Sequence, residues 1–96
     1  MSIRVVNKFI SKPEKLEEFI ALMKQLEENT KREDRGVIGY SLHQDMKDPN
    51  CIAMMEEWEN EEVMEEHLSK QHFLDLLPAI SECLGAPPSF NNFKAI

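Results

Sequence analysis

Ile3-Arg4-Val5-Val6-Asn7-Lys8-Phe9-Ile10 is apolar on both sides of an extended chain: Ile3, Val5 and Phe9 share one face, Val6 and Ile10 the other. A strand of this kind must be covered on both faces. Cys51-Ile52-Ala53-Met54-Met55-Glu56-Glu57-Trp58 repeats the pattern, with Met54 and Met55 back to back. Both segments therefore belong inside a sheet that needs a cover on each side.

Working outward, Ser11-Lys12-Pro13-Glu14 has the spacing of a capping box with proline in the first turn. Leu16, Phe19, Ile20, Met23 and Leu26 follow at helical spacing and predict a helix from about Pro13 to about Lys31. Lys31 and Arg32 suit its C-terminal end, and Gly36 ends the connection. Val37 to Asp45 reads as the second strand, and Lys47-Asp48-Pro49-Asn50 turns it into a hairpin with Cys51 to Trp58. Asn60 caps a helix that places Val63, Met64, His67 and Leu68 on one face; Ser69 starts a further helical stretch with Phe73, Leu76, Leu77 and Ile80 inward and a kink expected at Pro78. Gly85-Ala86-Pro87-Pro88 stops it, leaving Ser89 to Lys94 as a short final strand.

The order β-α-β-β-α-β predicts an α+β fold of the ferredoxin-like, split βαβ type, with four antiparallel strands and the helices on one face. The bare face calls for a second copy of the sheet, so a homodimer closed into a dimeric α/β barrel is expected. With 96 residues, one domain over residues 1–96 is the expectation.

Hydrophobic residues make up 42% and charged residues 30%, the balance of a soluble globular protein. No apolar run approaches the roughly 20 residues that span a bilayer, and the first residues lack the apolar segment of a signal peptide, so a cytoplasmic location is expected. The net charge is −7, with Glu56, Glu57, Glu59, Glu61, Glu62, Glu65 and Glu66 crowded together, which speaks against nucleic-acid and membrane partners. That run reads as a solvated helix start favoured by the macrodipole. Cys51 and Cys83 lack metal or redox spacing and are expected free and reduced.

Phosphate loops and a serine-nucleophile elbow are absent. His67 and His72, five apart, would lie about 140° apart on a continuous helix, so no metal site is expected. Four residues stand out. Asn7 interrupts an apolar strand, where an amide needs a partner or a ligand. Trp58 shares a sheet face with Glu56 and is either a core aromatic or a pocket wall. His67 lies on the inward stripe of its helix, as a packed core residue or as the best general base in the chain. His72 opens the last helical stretch, where a first-turn polar role is also open. Tyr40 and His43 occupy opposite faces of the second strand, so at most one faces a cavity.

Asn7-Lys8-Phe9, Gly39-Tyr40, Glu56-Glu57-Trp58-Glu59, and His67-Leu68 followed by His72-Phe73 together resemble the antibiotic biosynthesis monooxygenase family over about residues 3 to 94. The resemblance implies a dimeric barrel that oxidises small electron-rich aromatics, quinol-like or anthrone-like, with dioxygen and with no metal, flavin or haem cofactor. On that model His67 accepts a proton, Asn7 hydrogen-bonds the resulting oxyanion, and Trp58 and Phe73 stack on the ring, with His72 and Tyr40 as further substrate contacts. A haem-degrading branch would need a proximal histidine near Leu77, and leucine cannot ligate iron. A branch related to autoinducer-processing isomerases keeps a sugar-like substrate open. A non-catalytic dimeric barrel holding a small apolar ligand is the alternative from another class.

Overall fold

The two doubly apolar segments become the middle of the sheet. The computed structural model describes residues 2–96. Its four strands are β1 (Ile3–Ile10), β2 (Val37–Gln44), β3 (Cys51–Trp58) and β4 (Ser89–Lys94), in the spatial order β2-β3-β1-β4 with every neighbouring pair antiparallel. Among the described residues there are three α-helices: α1 (Leu16–Glu33), α2 (Glu61–His67) and α3 (Gln71–Cys83). This is a mixed α+β fold with the ferredoxin-like strand order.

Register decides which side chains meet the helices. Ile3 pairs with Trp58, Val5 with Glu56, Asn7 with Met54 and Phe9 with Ile52, so these eight share the inner face. Tyr40 pairs with Glu56 from the other side and joins that face. Phe19, Met23 and Leu26 of α1 and Ile80 and Cys83 of α3 close over it to form the core. Each large side chain buried there contributes about 1.5–3 kcal/mol through removal from water.

The outer face carries Val6 against Met55, with Met55 43% and Phe93 54% exposed. Polar groups share this face: Arg4 pairs with Glu57 at 3.6 Å, and Lys8, Ser41 and His43 lie on it by register.

Two local expectations are corrected. The capping box at Ser11 does not form. Ser11 is buried in a bridge with Leu84, its hydroxyl donates to the Lys12 and Cys83 carbonyls, and Pro13–Lys15 makes a 3₁₀ turn before α1 begins. The second helical region breaks as expected, but its later part starts at Gln71 and not at Ser69. After His67 the amides of Leu68, Ser69 and Lys70 bond to the carbonyls three residues back, the chain turns, and α3 restarts at Gln71. Asn60 caps α2 as read, accepting from the Val63 amide at 3.0 Å.

Gly36 sits between α1 and β2 with φ of 78°, where a side chain is disfavoured. A methyl group there would lie 2.6 Å from the Val63 side chain, so α2 is drawn tight against this turn.

Candidate active site

A cavity of about 390 Å³ lies between the inner sheet face and the helices. Its walls are mostly apolar, with Phe9, Phe73 and Phe90 prominent, and its polar groups are Asn7, Tyr40, Glu56, His67 and Asn92. Of Tyr40 and His43, it is Tyr40 that faces inward, 3% exposed, whereas His43 is solvent-exposed.

His67 ends α2 and is 3% exposed. Its Nδ1 bonds Asp34 Oδ2, and its Nε2 lies 3.2 Å from the Tyr40 hydroxyl. An ionised carboxylate only accepts, so Nδ1–H donates to Asp34 and Nε2 is left with the lone pair to which Tyr40 donates. Burial lowers the His67 pKa, opposed in part by Asp34, and keeps the ring neutral near pH 7. The Tyr40 hydroxyl is pushed far up, by burial first and by the charge of Glu56 second. The other oxygen of Asp34 meets His72 Nε2 at 2.7 Å, so a buried chain runs Tyr40–His67–Asp34–His72.

The turn after His67 brings the two histidines onto one carboxylate. This corrects the inference from a continuous helix: donor atoms of Asp34, His67 and His72 all lie within 4.8 Å of one another. Two imidazoles and a carboxylate form a set that suits several divalent transition metals. In this structure both rings bond the carboxylate directly.

A second polar unit stands on β3. Glu56, 8% exposed, accepts from Trp58 Nε1 at 2.9 Å and from Asn7 Nδ2 at 3.0 Å. Burial raises its pKa to about 7, against the opposing pull of these two donors. The Asn7 Oδ1 is buried with no hydrogen-bond partner among the described residues.

Asn7, Tyr40, His67 and Phe73 thus line one cavity. Trp58 and His72, expected as substrate contacts, are not among its lining residues. Trp58 is wholly buried behind the wall, its ring 5.0 Å from His67 and 6.1 Å from Tyr40, and His72 sits beyond Asp34. Their observed contacts hold other site residues in place.

Two residues escaped the sequence reading. Asp34 caps the C-terminal end of α1 within a charged run. Glu56 was counted with the solvated acids, and its burial corrects that reading; its signal was the alternation Ile52, Met54, Glu56, Trp58, all inward.

An inner-face cavity served by a buried Tyr–His–Asp chain defines a small-molecule-binding α+β protein. Residues 2–78 match the family model described as antibiotic biosynthesis monooxygenase, and the chain belongs to that family. It is 33% identical over 76 residues to "Putative monooxygenase YcnE" of Bacillus subtilis, covering 79% of each protein. It is 30% identical over 83 residues to the uncharacterized protein sll1783 of Synechocystis, covering 86% of this chain and spanning 56% of that longer relative. The crystal structure of a conserved protein from Methanosarcina mazei Go1 superposes with a TM-score of 0.93 at 37% identity, covering 98% of this chain and 92% of the other.

Proposed function

We propose that this protein is a cofactor-independent monooxygenase that oxidises a small electron-rich aromatic, quinol-like or anthrone-like, with dioxygen. The observation that carries the reading is the Asp34–His67–Tyr40 chain reaching an apolar cavity of about 390 Å³. That volume is within the range of small-molecule sites. The family and the Bacillus subtilis relative's name support the same reaction class.

The chemistry asks the protein for deprotonation, orientation and exclusion of water, because a deprotonated polyphenol reduces oxygen by itself. His67 is reached through Tyr40. A substrate hydroxyl donates to the Tyr40 oxygen while the Tyr40 proton passes to His67 Nε2, and Asp34 compensates the imidazolium. Asn7 spends one N–H on Glu56 and has a second for the substrate oxyanion. Phe73, beside the His67 ring at 4.9 Å, stacks on the substrate.

None of the lining residues is lysine or arginine, so a phosphorylated sugar-like substrate would lack a countercharge there. The homodimer belongs to the same proposal, with Val6, Met55 and Phe93 buried between two outer sheet faces. Sedimentation that finds a stable monomer at low micromolar concentration would remove the dimer. No helix among the described residues is long and apolar enough to cross a membrane.

The test is oxygen uptake by the purified protein over a panel of hydroquinones and anthrones, with chelator and no added cofactor. Uptake should persist with chelator and fall about 10²–10⁴-fold in His67→Ala. Full turnover by His67→Ala sinks the proton chain. Uptake abolished by chelator sinks cofactor independence and points to a metal on Asp34, His67 and His72. Saturable binding of the same aromatics with no oxygen uptake leaves the cavity as a carrier site.

A further inference from the structure

Converting a substrate SH₂ with dioxygen into SO and water requires two different proton tasks. A base removes one proton to leave the anion SH⁻, which passes one electron to dioxygen, and the radical pair couples through a C–O bond to give SH–O–O⁻. That peroxide takes the proton back as SH–O–OH. The base then removes the remaining proton on carbon, its electron pair becomes the C=O bond, the O–O bond breaks, and the departing hydroxide takes a proton to leave as water. The atoms balance as SH₂ + O₂ → SO + H₂O. The last step needs an acid as well as a base, because hydroxide is a poor leaving group in an apolar cavity.

The cavity holds three titratable residues: Tyr40 from β2, Glu56 from β3 and His67 from α2. The walls contributed by β1, α1, α3 and β4 are uncharged. Tyr40 and His67 form the base chain. Glu56 faces the same space and is the cross-strand partner of Tyr40 on the inner sheet face. Side chains so paired stand about 4.5–5.5 Å apart at Cβ, within the span of one small substrate. Each Glu56 oxygen accepts one N–H, from Trp58 and Asn7, so a lone pair remains to carry a proton without breaking either bond.

We infer that Glu56, clamped between Asn7 and Trp58 on the cavity wall, is the catalytic acid that protonates the departing peroxide oxygen. This rests on the monooxygenase reading and deepens it: the product is the dehydrated ketone or quinone, not a released hydroperoxide. The pKa of about 7 fits such a donor, since Tyr40 gives up its proton only as it receives another and burial keeps the resting His67 ring neutral.

The experiment compares wild type with Glu56→Gln on an anthrone, following oxygen uptake, peroxide and quinone together. The variant should keep substrate-dependent oxygen uptake, accumulate hydroperoxide and form quinone about 10²–10⁴-fold more slowly. Wild-type quinone formation should fall as pH rises through about 7, and the variant should lose that limb. Glu56→Asp should recover part of the rate. Quinone formation by Glu56→Gln at the wild-type rate, with the alkaline limb intact, overturns the assignment of Glu56 and leaves the monooxygenase standing. No oxygen uptake by wild type overturns both. Should Glu56→Gln fail to fold, infrared difference spectra of the wild type carry the test: the carboxylic-acid C=O band must bleach as quinone forms, and a band that stays constant overturns the proposal.

Discussion

Asp34 and Glu56 are buried to the same degree, each 8% exposed, yet the fold surrounds them in opposite ways. Asp34, at the end of α1, lies between two imidazoles, each bonded to one of its oxygens. Glu56, near the C-terminal end of β3, has only the neutral N–H groups of Trp58 and Asn7. The first environment suits an acceptor that orients two rings; the second suits a carboxyl that carries the proton itself. Burial alone therefore does not assign a role to an acid. The company it keeps does.

The largest effect that would break this contrast is expected from Asp34→Asn. An amide can face His67 Nδ1 with its NH₂ group and turn the ring to the other tautomer, which removes the lone pair from the Tyr40 side. Oxygen-uptake kinetics should show kcat reduced about 10²–10⁴-fold with KM little changed. A variant with wild-type kcat would mean that Asp34 is merely a structural cap.

Stability against pH comes next, and the two sites pull in opposite directions. Glu56 is raised from 4.5 to about 7, so the folded chain binds its proton more tightly than the unfolded one. The resulting stability is complete below about 4.5 and is lost as pH rises through about 7, at most about 3 kcal/mol. Denaturant unfolding of wild type and Glu56→Gln should therefore converge or cross between pH 5 and pH 8.5 in favour of the variant. Parallel curves would refute the raised carboxyl. His67 is lowered from 6.5, so the unfolded chain takes that proton first, and its contribution is complete above 6.5 and lost as pH falls.

The smallest effect is expected at His72. Replacing it by phenylalanine removes one of Asp34's two partners from a position outside the cavity lining. Unfolding should cost about 1 kcal/mol less than in wild type, with oxygen uptake reduced far less than in Asp34→Asn. An equal loss of activity would make the second imidazole part of the proton chain.

The fold was legible because its elements are strongly periodic. Two strands apolar on both faces, one long helical stripe and the Asn60 cap sufficed for element order and strand antiparallelism. Ser11 misled because its partner, Leu84, is distant in the chain and outcompetes the local cap. Of the residues singled out in the sequence, Asn7, Tyr40, His67 and Phe73 line the cavity. Asp34 was hidden because Lys31, Arg32, Glu33 and Arg35 around it are all exposed, and nothing local says which acid turns inward. Glu56 was hidden by its six acidic neighbours, although strand parity set it apart from them. The meeting of His67 with His72 depends on the break at Leu68–Lys70, which helical spacing does not reveal.

Gly36 has a reach that extends beyond its own turn. Its bare α-carbon lets Val63 nestle against the backbone, and His67 sits one helical turn further along the same helix. Any bulkier residue there would lever α2 outward and lift the imidazole off Asp34, disconnecting the proton wire from a spot that touches neither the wire nor its substrate.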